Sequence, residues 1–97
     1  MPVYTAMPLT IESEKTLEAA VLEKFDDHNR YKLIDGKTWF LKYDGTTVEL
    51  SNFLEITGQP KGESSPIGSV VIIPIAAYYG RGPSDMWEWL KIRLEND

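Results

Sequence analysis

At 97 residues with a formal charge of -5, 42% hydrophobic and 26% charged side chains and no cysteine, the chain is sized and composed for one folded domain. Disulfide staples, thiolate metal sites and thiol nucleophiles are excluded. The longest apolar run, Val70 to Ala77, is interrupted by Pro74 and falls far short of the roughly 20 residues of a membrane-spanning helix, and with no cationic leader at the start the expected location is cytoplasmic.

Val3 to Leu9 reads as a first strand, with Pro8 near its end where a missing ladder donor does least harm. A helix follows, with Ser13 as the expected N-cap and Leu17, Val21 and Phe25 recurring every four residues beside Ala20. Beyond the polar Asp26-Asp27-His28-Asn29, the segments Arg30 to Ile34 and Lys37 to Tyr43 flank Asp35-Gly36. This is the pattern of a hairpin closed by a two-residue type I′ turn. In its second strand Trp39, Leu41 and Tyr43 alternate with Phe40, so that strand is expected to be covered on both faces or to sit centrally. Thr46 and Glu49 fit a capping box for a second helix, with Leu50, Phe53 and Leu54 on one face and an end near Thr57-Gly58. The Gly58 to Gly68 segment is dense in residues that break regular structure and reads as an exposed loop. Ser69 to Tyr79 reads as a strand in which Pro74 points to a sheet edge or a bulge. Pro83, Ser84 and Asp85 open a last helix with Met86, Trp89, Leu90 and Leu94 at helical spacing.

The order strand, helix, strand, strand, helix, strand is the split βαβ arrangement of ferredoxin-like domains. The predicted fold is therefore α+β, a four-stranded antiparallel sheet with an additional C-terminal helix. Right-handed crossovers place both crossover helices on one face, the first and third strands centrally and the second and fourth at the edges. The last helix then lies on the other face or beside the fourth strand. A curled antiparallel sheet with helices at its ends is the alternative.

The strand Lys37-Thr38-Trp39-Phe40-Leu41 and the ending Trp87-Glu88-Trp89-Leu90 resemble those of the SinR family of small proteins and of the ferredoxin-like nucleases of CRISPR adaptation. The resemblance implies the fold and dimerisation through an edge strand. Nuclease members also carry a metal-binding aspartate at the end of the first strand, where this chain has Met7-Pro8-Leu9 and no carboxylate before Glu12. A metal-dependent nuclease would lack that oxygen ligand here.

His28 is the only histidine and lies in a polar connection, where a structural role is expected. Asp35 and Asp44 each precede a glycine and suit turns better than metal binding. Nucleotide loops, His-Glu-x-x-His and Gly-x-Ser-x-Gly are all missing, so no cofactor is implied and the reading leans away from an enzyme. The candidate binding residues are Tyr78, Tyr79, Arg81, Ser84 and Trp87, where aromatics, a cation and a helix start converge. Trp87 and Trp89 point about 200° apart on a helix, so one of them is expected outside the core. The sequence thus predicts a binding or regulatory module whose partner is a second copy in a homodimer, or another protein. The acidic balance disfavours nucleic acid. A nuclease-like protein and an accessory protein that binds a host protein are the alternatives.

Overall fold

A computed structural model describes residues 2–95. In the first strand, β1 (Val3–Pro8), Tyr4 and Ala6 are buried on one face, while Val3, Thr5 and Met7 turn to the other. β1 pairs antiparallel with β3 (Trp39–Lys42) and with β4 (Val70–Pro74), and β3 pairs antiparallel with β2 (Arg30–Lys32). The sheet order β2-β3-β1-β4 puts β1 and β3 inside and β2 and β4 at the edges. Leu9 N–H donates to the Ser69 carbonyl and Ile75 N–H to the Val3 carbonyl, both at 2.9 Å. Odd-numbered residues of β4 therefore bond to β1, and Val70, Ile72 and Pro74 turn their backbone groups outward. The donor that Pro74 lacks would have faced the free edge, which is why a proline is tolerated there.

Helix α1 (Ile11–Lys24) starts three residues earlier than a cap at Ser13 would give. Thr10, not Ser13, is the N-cap: its hydroxyl accepts from Ser13 N–H at 3.1 Å, and its own N–H donates to Ser13 Oγ at 3.0 Å. Thr10 and Ser13 satisfy two helix-end donors reciprocally, whereas a cap at Ser13 would leave Ile11 and Glu12 outside the helix. One 3₁₀ turn, Asp27–Asn29, then leads to β2.

The hairpin loop also departs from expectation. A type I′ turn needs positive φ at both central residues, but only Gly36 (φ 76°) has it; Asp35 does not. Instead Gly36 N–H donates to the Leu33 carbonyl, Leu33 N–H donates to the Thr38 carbonyl, and residues 34–37 form a four-residue loop. The Asp35 carboxylate organises it, accepting from the N–H groups of Lys37 and Thr38, both at 2.9 Å, and from the Thr38 hydroxyl at 2.7 Å. Burial pushes its pKa up, but those bonds and the Lys37 charge outweigh it and hold the carboxyl below its ordinary value. Asp35→Ala is expected to cost about 1 kcal/mol at neutral pH by urea denaturation. Because the folded pKa is depressed, that contribution exists above the unfolded value near ~3.9 and disappears as pH falls through the folded one. The gap between wild type and variant should close in acid.

Helix α2 (Thr47–Phe53) has the expected capping box, with Glu49 N–H donating to Thr46 Oγ1 at 3.1 Å and Thr46 N–H to Glu49 Oε1 at 2.8 Å. It ends earlier than Thr57-Gly58, because Glu55 turns left-handed (φ 64°) and closes it. Glu55 N–H donates to the Asn52 carbonyl and Ile56 N–H to the Ser51 carbonyl, both at 3.0 Å, burying Ile56 behind the helix. That seat favours glycine. The exposed Glu55 carboxylate reaches Lys24 only at 3.6 Å, a contact worth little. Glu55→Gly is expected to raise stability by about 1 kcal/mol, read as a higher urea midpoint.

The two faces of the sheet carry separate cores. Tyr4, Ala6, Trp39 and Leu41 pack under Leu17 and Val21 of α1 and Leu50 and Leu54 at α2. On the opposite face, Val3 with the half-buried Tyr31 and Phe40 packs under Trp89 and Leu90 of α3 (Ser84–Glu95). β3 is covered on both sides, as its alternation predicts.

Candidate functional site

A helix about 10 Å across cannot cover four strands about 4.8 Å apart. α3 settles over the β2 and β3 side, and named contacts hold it there. The Trp89 ring lies 6.2 Å from Phe40 and 6.0 Å from Tyr31. The Arg93 guanidinium sits 4.3 Å over that indole while Nε donates to the His28 carbonyl at 2.6 Å. Burial lowers the Arg93 pKa. Near the helix start, the Tyr31 hydroxyl donates to Asp85 Oδ2 at 2.7 Å. Burial raises the Tyr31 pKa, and the Asp85 hydrogen bond and charge raise it further.

Trp87, two residues from Trp89, is half-buried at the margin of this core and stacks on Tyr78 with ring centroids 5.7 Å apart and planes at 22°. The chain reaches that position because β4 ends at Pro74, five residues before the expected end at Tyr79, with one last bond to β1 from Ile75, and the segment then runs beside α3. Gly82 lies against α3, where the nearest atom to a β-carbon would be the mobile Met86 methyl at 2.5 Å. Pro83, read as opening the helix, precedes Ser84, and its carbonyl accepts from the N–H groups of Met86 and Trp87.

Between this segment, α3 and the sheet runs an open groove of about 290 Å³, lined among others by Thr5, Phe40, Ile75, Tyr78, Met86 and Trp87. Tyr79, fully exposed, stands at its rim. The structure therefore brings Tyr78, Tyr79 and Trp87 together, while Arg81 and Ser84 are exposed and outside the lining. The first turn of α3 carries its own carboxylate, Asp85, so an incoming anion would meet a like charge there.

Sequence reasoning missed Thr5, Phe40, Ile75 and Met86. It also missed the bare half of the sheet face beside the groove, where Met7, Val71 and Ile73 are 37%, 37% and 46% exposed. Met7 lies opposite Val71 and Thr5 opposite Ile73 in the β1–β4 ladder. The signal was present as strands apolar on both faces with a single helix left to cover the second.

His28 is exposed, with its N–H bonded to Asp26 Oδ1 at 3.1 Å, and among the described residues no group of three or more histidines and carboxylates could hold a metal ion. Among the same residues no helix is long and apolar enough to cross a membrane. Comparison with known proteins gives no matching family model, no matching curated protein and no matching solved structure.

Proposed function

We propose that this protein is a non-catalytic binding module of ferredoxin-like, split βαβ topology, acting in the cytoplasm, whose groove beside α3 receives a short apolar segment of another protein. The observation that carries the reading is Trp87. It is a large aromatic stacked on Tyr78 at the margin of the second core, half-exposed on a groove whose lining is uncharged. Rigid aromatic rings at the margin of an uncharged concavity offer contact area at little entropic cost, and tryptophan and tyrosine dominate binding hot spots. The resembled nucleases share this topology, but β1 ends in Met7-Pro8-Leu9 where they have an acid, and the proposed role is recognition rather than catalysis.

Panning a random-peptide library against the protein tests the reading. Recovered peptides should be rich in apolar residues, and Tyr78→Ala and Trp87→Ala should each weaken their binding by at least about tenfold. Recovery of no binder, or of peptides indifferent to both substitutions, would reject it.

A further inference from the structure

We propose that β4 pairs with β4 of a second copy of this chain, antiparallel and about a two-fold axis at Ile72, to make one continuous sheet across two subunits. The proposal goes beyond the groove reading and does not depend on it.

The free edge of β4 presents N–H and C=O at Val70 and Ile72 and C=O at Pro74, for the outward-turned residues found above. In a two-fold pairing centred on Ile72, each Ile72 N–H meets the Ile72 carbonyl of the other subunit. Each Val70 N–H meets the opposing Pro74 carbonyl, so Pro74 serves as an acceptor and its missing donor leaves only the Val70 carbonyl to solvent. On the α3 side of the sheet, Val71 then faces Ile73 of the partner subunit in the closely spaced type of pair. These are the side chains that α3 leaves bare, and with Met7 they merge across the axis into one apolar strip.

Charge selects this edge over the other. Residues 66–79 contain no charged side chain, although the chain as a whole carries -5, so two copies approach through β4 without juxtaposing like charges. At the β2 edge, Arg30 and Lys32 stand in ion pairs with Asp27 at 2.7 Å and Glu18 at 2.8 Å, the charged guarding that discourages strand addition. The register is selected by side-chain matching. Sliding the pairing to a centre at Val71 would keep hydrogen bonds between Val70 and Ile72 but set Ile73 against Ser69. The Ile72 centre instead pairs all five residues of β4 within the strand, apolar with apolar, and meets Ser69 only beyond it, opposite Ile75. An axis normal to the sheet also keeps both α2 helices on one side. The open groove between α2 and β4, with Val48 exposed at its rim, would then lie along the seam.

Sedimentation velocity from micromolar to millimolar concentration, with circular dichroism to monitor folding, tests the pairing. Wild type should be dimeric in the upper part of that range. The double variant V71K/I73K, altered only at exposed positions, should stay folded and shift to monomer by at least about tenfold in dissociation constant, because lysines face lysines across the axis. V71K/I73E should recover dimerisation, since position 71 meets position 73 of the other subunit; in a register centred on Val71 it would place lysine against lysine. A monomeric wild type, a dimer indifferent to V71K/I73K, or a V71K/I73E variant as dissociated as V71K/I73K would each overturn the proposal. Capture of groove-binding peptides by monomeric V71K/I73K would show that the groove reading stands or falls separately.

Discussion

Trp89→Ala is expected to cost about 3–5 kcal/mol and to release α3 from the sheet, a large fraction of the roughly 5–15 kcal/mol available to a domain of this size. Trp89 is the centre of the second core: its ring lies against Phe40 and Tyr31 while the Arg93 guanidinium covers its other side. Truncation removes all three contacts and leaves a cavity that α3 cannot collapse into while Tyr31–Asp85 and Arg93–His28 hold it in register. The comparison that gives the experiment its force is Trp87→Ala, expected to cost no more than about 1–2 kcal/mol because that ring is half-buried and rests on Tyr78 alone among the aromatics. Urea denaturation reads both energies, and amide exchange along α3 reads the undocking. Equal costs would mean that Trp87 is as much a core residue as Trp89. Trp89→Phe should fall well below the alanine cost. It keeps an aromatic ring in the stack and discards an indole N–H that is buried without a partner among the described residues.

Local chemistry made much of the fold legible. The Thr46 and Glu49 box, the alternation through Trp39, Phe40 and Leu41, and a proline confined to an edge strand each depend on neighbours a few residues away. Where two local solutions compete, the sequence misleads. Ser13 is as good a cap residue as Thr10, and only the reciprocal bond between them decides which begins the helix. Asp35-Gly36 suits a two-residue turn, but the carboxylate gains three hydrogen bonds by wrapping a longer loop.

The candidate site was half visible for a different reason. Tyr78, Tyr79 and Trp87 are close in sequence and were found together, whereas Thr5 and Phe40 arrive from the sheet. Which strands α3 covers is decided by pairs such as Tyr31–Asp85 and His28–Arg93, separated by 54 and 65 positions. No periodicity reports those. Arg81 and Ser84 were implicated as a cation and a helix start that could meet an anion, and both are exposed outside the groove lining.

The second large effect is expected at Phe25, in the opposite core. Phe25 caps the end of α1 with its N–H on the Val21 carbonyl at 2.9 Å, and its ring meets Phe53 edge to face at 5.8 Å and Tyr43 at 6.3 Å. Tyr43 and Phe53 are themselves 5.2 Å apart, and Lys24 Nζ lies 5.2 Å from the Phe53 ring. This cluster joins the end of α1 to β3 and α2, so Phe25→Ala should cost about 3 kcal/mol or more. Phe53→Ala should cost less, because that ring is 39% exposed. A double-mutant cycle between the two should return a coupling of about 0.5–1.5 kcal/mol, the worth of an aromatic pair beyond its buried area. Amide exchange should accelerate in α2 in the Phe25 variant and in α3 in the Trp89 variant. The two cores lie on opposite faces and meet only through the sheet, so combining Phe25→Ala with a mild α3 substitution such as Trp89→Phe should give nearly additive losses. A strong departure from additivity would mean that strain passes through the sheet and that a partner on the α3 face also acts on α1 and α2.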